Sequence, residues 1–491
     1  MSERHATKNG LIVGVLALLA GGCAAGPDYR PTQTYAALAE LPPADSLANW
    51  WTRFDQPELD ALIAAALTQN RQIEAARASV REASAGRRAA RAGFLPVAGF
   101  DGAYTWSEQS INSPAGAGPL IGAGIVDRDI EFWNGTVSTR WDLNLFGGTR
   151  RLNEAARARV QQAMAARDAV ALGVVGETVA AWIELNGALS RRERLAGSIE
   201  ALDQTVTLTQ RQSETGLGRP LDALRSVSQR DAAAAGLPTL DAAIDAAAWR
   251  LAVLTGQPLE AIAASPDRFG ARGLDHQLAG MTIPTVTAAY LRQRPDVAAA
   301  ERNLAAAVAD VGVSEAAFWP QVWIGASVGV ESASVGNLLE GDSRALGLAP
   351  RFSIPLFQGG RLKAGRDAAL ARADIAYQDL ENTLVSAYAE ARSVARRVER
   401  GQASLAKLTT AVDAAREAET IAQRRFELGL GSFLALLDAQ RERLRLEDQQ
   451  IVQATQVQLY IGRLFTSLGG DAPSLLPAQK ELASSARATM E

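Results

Sequence analysis

Four segments alternate apolar and polar positions with a period of two, the signature of a β-strand whose faces meet different surroundings. In the first, Ala98, Phe100, Gly102, Tyr104 and Trp106 alternate with Gly99, Asp101, Ala103 and Thr105. In the second, Val137, Thr139, Trp141, Leu143 and Leu145 alternate with Thr136, Ser138, Arg140, Asp142 and Asn144. The third sets Val322, Ile324, Ala326, Val328 and Val330 against Gln321, Gly325, Ser327 and Gly329, with Trp323 out of step. The fourth sets Leu346, Leu348, Phe352, Ile354 and Leu356 against Gly347, Ala349, Arg351 and Ser353. The pattern predicts strands over ~94–106, ~135–146, ~320–330 and ~346–356, each about 10 residues, the length a tilted strand needs to cross hydrocarbon.

A half-buried sheet in water would alternate in the same way. Asp101, Arg140, Asp142 and Arg351 on the polar face suit a wet lumen rather than a packed interior. Tyr104, Trp106, Phe132, Trp133 and Trp319 cluster near strand ends, as interfacial aromatics do. Residues 107–132 and 331–345, rich in Gly, Ser and Pro, are the expected outer loops. Four strands cannot close a barrel, since small barrels need about eight. The chain is therefore expected to oligomerise, with eight strands from two copies or twelve from three.

After the second and fourth strands the period changes to that of a helix. Long helices are expected over ~152–215 and ~362–428, roughly 95 Å each at ~1.5 Å per residue. In the second, Leu384, Tyr388, Ala391, Ala395, Val398, Leu405, Leu408, Val412 and Ala415 follow three-and-four spacing broken at Gln402. Such helices pair along their length, as a tube wall or as a soluble antiparallel coiled coil. Return helices are expected over ~220–255 and ~432–468. Tight Gly-rich turns join each pair: Thr215, Gly216, Leu217 and Gly218, then Leu428, Gly429, Leu430, Gly431 and Ser432. These tips are candidate docking surfaces as well as helix caps.

The chain is written twice. Phe94-Leu95-Pro96 answers Phe318-Trp319-Pro320, Leu145-Phe146-Gly147-Gly148 answers Leu356-Phe357-Gln358-Gly359, and the two tips answer each other. The expected organisation is a leader over 1–22, an N-terminal strap over 23–60, repeats over 61–256 and 293–468, a linker over 257–292, and a partly disordered tail over 469–491.

Composition narrows the chemistry. The chain has 491 residues with 50 basic and 54 acidic side chains, so nothing marks it as a nucleic-acid binder. Its two histidines are His5 and His276, which disfavours histidine-based catalysis or metal binding. No enzyme, cofactor or metal is expected. Gly325-Ala326-Ser327-Val328-Gly329 matches a nucleophile-elbow pattern but lies within strand alternation, with no histidine downstream. No apolar run reaches the ~18 residues of a spanning helix. A basic start with Arg4 and Lys8, an apolar core from Leu11 to Ala20, and Gly21-Gly22-Cys23 form a secretory signal. Cys23 is the only cysteine, and its expected use is lipid attachment. The alternative is ordinary cleavage nearby, leaving a free thiol.

Gly22-Cys23-Ala24-Ala25-Gly26-Pro27-Asp28-Tyr29-Arg30-Pro31, Trp50-Trp51 with Phe54-Asp55-Gln56-Pro57-Glu58-Leu59, Arg294-Pro295-Asp296-Val297 and Leu436-Leu437-Asp438-Ala439-Gln440-Arg441 resemble the outer-membrane factors of tripartite efflux systems of the RND type. Ala20, where such lipoprotein signals usually carry Leu, departs from the family, as does Ile283-Pro284-Thr285 before the Arg-Pro-Asp motif. The resemblance implies a homotrimer with a twelve-stranded barrel in the outer-membrane lipid and a helical tunnel in the periplasm. It also implies two partners, a periplasmic adaptor and an inner-membrane transporter. By position it implies a periplasmic gate at Leu434 and Asp438, with Arg424 and Arg425 on the facing helix available to hold the closed state through ion pairs. Read without the resemblance, Leu434 is equally an interhelical packing residue and Asp438 a solvated charge. The alternatives are the outer duct of a type I protein secretion system and a non-channel coiled-coil lipoprotein of the envelope.

Overall fold

The computed structural model describes residues 25–42, 44–112, 118–125, 127–216, 218–258 and 283–476. The leader with Cys23, Leu217, His276, most of the 257–292 linker and most of the tail beyond 469 lie outside the described residues. In chain order the elements are α1 (Gln33–Glu40), α2 (Pro57–Gln69), α3 (Arg71–Ala92), β1 (Val97–Glu108), α4 (Gly118–Gly122), β2 (Asp129–Asp142), α5 (Gly148–Glu214), α6 (Pro220–Ala234), α7 (Leu237–Thr255), α8 (Pro295–Ala316), β3 (Gln321–Ser332), β4 (Arg344–Ser353), α9 (Arg361–Glu427) and α10 (Phe433–Ser467).

These elements form two compact units. One takes in Met1–Arg30, Arg81–Gln161 and Arg302–Gln378, the other Pro31–Val80, Gln162–Glu301 and Asp379–Glu491. Each unit therefore draws on both repeats, whereas the repeat boundaries divide the chain once along its length. The cause is helix length: α5 and α9 each run 67 residues without a break. Each repeat thus gives two strands to one unit and a helical hairpin to the other.

The four strands form one antiparallel sheet in the order β1-β2-β3-β4. β2 begins and ends earlier than the alternation suggests, at Asp129 and Asp142. Past its end Leu143 N–H still donates to Val322 O at 2.9 Å, but Asn144 turns to φ 47° and Gly147 to φ 80°, so Leu143 and Leu145 leave the strand. At its start β2 takes in Phe132 and Trp133, which composition had placed at the loop's edge. β4 stops at Ser353, short of Ile354 and Leu356, because Pro355 has no N–H for the ladder. The expected single return helix over 220–255 is two, α6 and α7, broken at Ala235-Gly236 ahead of Pro238.

The hairpin unit packs around large aromatics. Trp50 stacks on Phe465 with ring centroids 5.2 Å apart, and Phe54 meets Trp182 edge-on at 6.4 Å. The strap residues Trp50, Trp51 and Phe54 are buried, as are Ile63, Ile183, Leu185, Leu251 and Ile461 around them. Along α9 the buried seam is Leu380, Leu384, Ala387, Ala391, Val394, Val398 and Gly401, a strict four-and-three repeat. It shares Leu384, Ala391 and Val398 with the expected stripe, and Val412 of that stripe is buried further along. Ala387 and Val394 replace Tyr388 and Ala395, however, and Tyr388 is exposed on the chain. The α5–α10 contact is close enough to require glycine. A Cβ on Gly187 would lie 2.6 Å from Thr455 Oγ1, and one on Gly176 would lie 2.7 Å from Thr466 Cγ2.

Candidate functional site

The strand register sorts the sheet into two chemically different faces. Val137 lies opposite both Phe100 and Val328, Thr139 opposite Ala98 and Ala326, and Trp141 opposite Ile324. Val328 lies opposite Leu346, Ala326 opposite Leu348, and Val322 opposite Phe352. Directly opposed residues share a face, so one side of all four strands is apolar. It is also bare in the single chain: Phe100, Leu346, Leu348 and Phe352 are each more than 70% exposed. Apolar exposure on this scale marks a surface made for another apolar phase.

The opposite face carries Asp101, Arg140, Asp142, Glu331 and Arg351. Ser138 Oγ donates to Asp101 Oδ2 at 3.1 Å, and Arg140 Nη2 donates to Asp142 Oδ1 at 2.9 Å. Trp323, out of step in the sequence, is accommodated here because the Arg140 guanidinium lies 4.5 Å above its ring. On its strand neighbours it faces Asp142 and Arg351.

Aromatic side chains bound the apolar face at both ends. Tyr104 packs on Trp133 with centroids 4.3 Å apart, and Trp106 shares their face. At the other end Trp141 Nε1 donates to Phe94 O at 3.0 Å, while Trp319 stacks on Phe146 at 5.2 Å. The eight residue steps from Trp133 to Trp141 correspond to ~27 Å along the strand and ~21 Å after a ~40° tilt, close to the ~25 Å apolar band of outer-membrane barrels. Phe132 is a correction: it lies opposite Thr105, on the charged face rather than among the interfacial aromatics. Trp141 was missed as an interface residue because the alternation ran on past it.

The hairpin tips belong to the other unit. Gly429 adopts φ 71°, its N–H donates to Phe426 O, and Leu430 N–H donates to Arg425 O at 2.7 Å, the paired bonds that end a helix at glycine. Gly216 caps α5 in the same way at φ 74°, with Gly216 N–H donating to Ser213 O. Gly218 is held close, since a Cβ there would lie 2.8 Å from Gln212 Cβ. Thr215 Oγ1 donates to Arg211 O. Ser432 Oγ accepts from Ala435 N–H and starts α10, while Gly431 lies against Arg425. Leu428 and Leu430 are about 70% exposed.

On the first turns of α10, Phe433, Leu436, Leu437 and Gln440 face inward, while Leu434 and Asp438 are exposed, four residues apart on the outer stripe. Leu434 is therefore not a packing residue within its own hairpin. Arg424 and Arg425 are also exposed, and neither forms an ion pair with Asp438 inside the chain. Further along the hairpin lies a polar cluster that the sequence reading missed. Glu447, 3% exposed, accepts from Arg416 Nε at 2.7 Å and Arg443 Nη1 at 2.8 Å, and Arg443 also pairs with Glu419. Arg441 Nε donates to Gln229 at 2.7 Å and Arg191 pairs with Asp448, so both links tie α10 to the first repeat. The Arg443–Glu447 spacing of four was the available signal. Among the described residues, no helix is long and apolar enough to cross a membrane, and no group of three or more His, Cys, Asp or Glu side chains could hold a metal.

The family model for outer membrane efflux proteins matches residues 62–257 and again 287–470. The chain belongs to that family. As an outer membrane efflux protein it is similar to the outer membrane protein OprJ of Pseudomonas aeruginosa, 28% identical over 93% of this chain and 94% of the relative. It is also similar to the toluene efflux pump outer membrane protein TtgF of Pseudomonas putida, 28% identical over 90% and 87%. Among solved structures, the outer-membrane channel OprN superposes with a TM-score of 0.78 at 30% identity, over 92% of this chain and 100% of that one. The Campylobacter jejuni CmeC outer membrane channel shares the fold, with a TM-score of 0.82 over 94% and 98% of the two chains. The chain thus has the efflux-channel fold, four strands for a composite barrel and long hairpins for a helical tunnel. Its function is that of an outer-membrane channel in a tripartite efflux system, located in the outer membrane and extending into the periplasm.

Proposed function

We propose that three copies assemble into a passive exit duct for small molecules, fed from a periplasmic adaptor and an inner-membrane transporter of the RND type. The observation that carries this reading is the register. It leaves one face predominantly apolar, with Glu131 and Arg344 near its ends, and the other charged, with β1 and β4 as open edges. A sheet of this kind is satisfied only by closure against further copies, apolar side to lipid and charged side to water. Twelve strands make a water-filled lumen, whereas four or eight do not. A relative named for toluene efflux favours small solutes over a secreted protein as cargo.

Cys23 carries the anchoring lipid, supported by the signal sequence before it. Leu434 and Asp438, both turned away from their own hairpin, form rings of three at the periplasmic constriction. A leucine ring narrows and dewets a pore, and a carboxylate ring repels anions and attracts cations. Because Arg424 and Arg425 do not reach Asp438 within one chain, any closing ion pair runs between copies. The exposed leucines at the tips, Leu428 and Leu430, take the adaptor. Planar-bilayer recording tests the whole reading: purified trimer should give discrete pores of small closed-state conductance. Asp438→Ala should raise the closed-state leak several-fold. No pores at all would sink the duct, and an unchanged leak would remove Asp438 from the gate.

A further inference from the structure

Residues 25–29 do not trail from the protein but are seated in a slot between α5 and α8, and the slot is built around one arginine. Arg151, with its side chain 5% exposed, donates from Nε to Ala25 O at 3.0 Å and from Nη2 to Gly26 O at 2.9 Å. The same guanidinium pairs with Asp28 at 2.8 Å and with Glu154 at 2.8 Å. Three of these four contacts go to residues 25–28, a task that suits a planar fork and not a lysine. Glycines make the seat possible. Gly26 has φ 83°, and a Cβ on it would lie 2.4 Å from Gly312 Cα. A Cβ on Gly312 would lie 2.8 Å from Arg151 Cγ and 3.0 Å from Ala25 O. Ala25 N–H donates to Phe146 O at 3.2 Å, and Phe146 is the ring stacked on Trp319 at the helix-side end of the sheet. Arg302 lies over the Tyr29 ring and closes the far side.

We propose that Arg151 is a positioning residue for the lipid anchor. By clasping residues 25–28 it makes the acyl chains on Cys23 leave the protein beside the Phe146–Trp319 pair, at the rim of the apolar face. Two residues of chain span at most ~7 Å, so the clasp fixes the anchor's station instead of leaving it on a slack tether. The inference rests on the acylation of Cys23 proposed above.

The test uses the full trimer in lipid vesicles with Pro27→Cys as the spin-label site. An acylated Cys23 takes up no label, so the expected stoichiometry is one spin per chain. The label should be immobilised in the otherwise unchanged protein, and Arg151→Gln should shorten its correlation time about fivefold or more, with hydrogen exchange of α5 unaltered. If Arg151→Gln loosens α5 as a whole, Gly26→Ala, which strains the seat without touching α5, should release the label in its place. A label that stays immobile in both variants overturns the clasp. Two spins per chain would overturn the acylation on which the anchor assignment depends, while the mobility result would still decide whether the segment is clasped.

Discussion

Replacing Glu447 tests how the second hairpin is held together. Its carboxylate is 3% exposed and accepts from two arginines, Arg443 (15% exposed) and Arg416 (43% exposed). Removing one member of a buried pair costs about 3–5 kcal/mol, because the partner is left charged and undercompensated. Arg443 keeps Glu419, which offsets part of this. Arg416 can turn to water, so its share is near the ~0–1 kcal/mol of a surface pair. The net cost expected for Glu447→Gln is therefore about 3 kcal/mol. Global melting of a multi-part oligomer is not two-state, so the suitable assay is local opening by hydrogen exchange over residues 433–450. A cost of ~3 kcal/mol corresponds to roughly 150-fold faster exchange there, with β1 to β4 unaffected. Replacing Glu419, Arg443 and Glu447 together with leucine should recover most of the loss, since apolar residues of similar size commonly match a buried ionic triad. A change below about fivefold in the single variant would refute the claim that Glu447 holds α10 against α9 through its cluster with Arg443, Arg416 and Glu419.

Two further outcomes follow from packing and charge. Gly187→Ala should destabilise the α5–α10 contact by about 1–3 kcal/mol through overpacking against Thr455. Thr455→Ala in the same chain should relieve it, and additive losses would place the contact elsewhere. Asp310 has its carboxyl pushed up by burial, against the opposing pull of Arg159 and Arg372. A carboxyl raised in the folded state binds its proton more tightly than in the unfolded chain. Its contribution to stability is therefore full below its ordinary value of 3.8 and declines as pH rises through the elevated one. Asp310→Asn should remove that decline, so that the free energy of local opening by hydrogen exchange over residues 295–316 rises at about pH 7 relative to about pH 4, compared with the unsubstituted protein. An identical difference in both proteins would contradict the shift.

The existence of all four strands and both rods was legible because each pattern persists for many residues. Strand ends were not. Leu143 and Leu145 keep the alternation although Asn144 has already turned, since periodicity records side chains and not backbone bonds. For the same reason Phe132 could not be given a face until its partner Thr105 was known. The α9 stripe was half right because a long helix offers several three-and-four paths, and only packing distinguishes Ala387 from Tyr388. That Leu434 and Asp438 share one stripe follows from helical geometry alone, whereas its facing outward shows only in the packing of α10. The clasp of Arg151 was invisible: beside Asp28 and Glu154 it holds two backbone carbonyls 126 and 125 residues away, and carbonyls have no letter in a sequence.

The two unmatched sheet margins at β1 and β4 carry a genetic consequence. A hoop assembled from thirds has no partial form, so one chain with a damaged margin spoils every assembly it enters. With equal amounts of sound and damaged subunits, only about one in eight sets of three would be free of a faulty member and able to close. Substitutions along these margins should therefore act dominantly when both versions are expressed together.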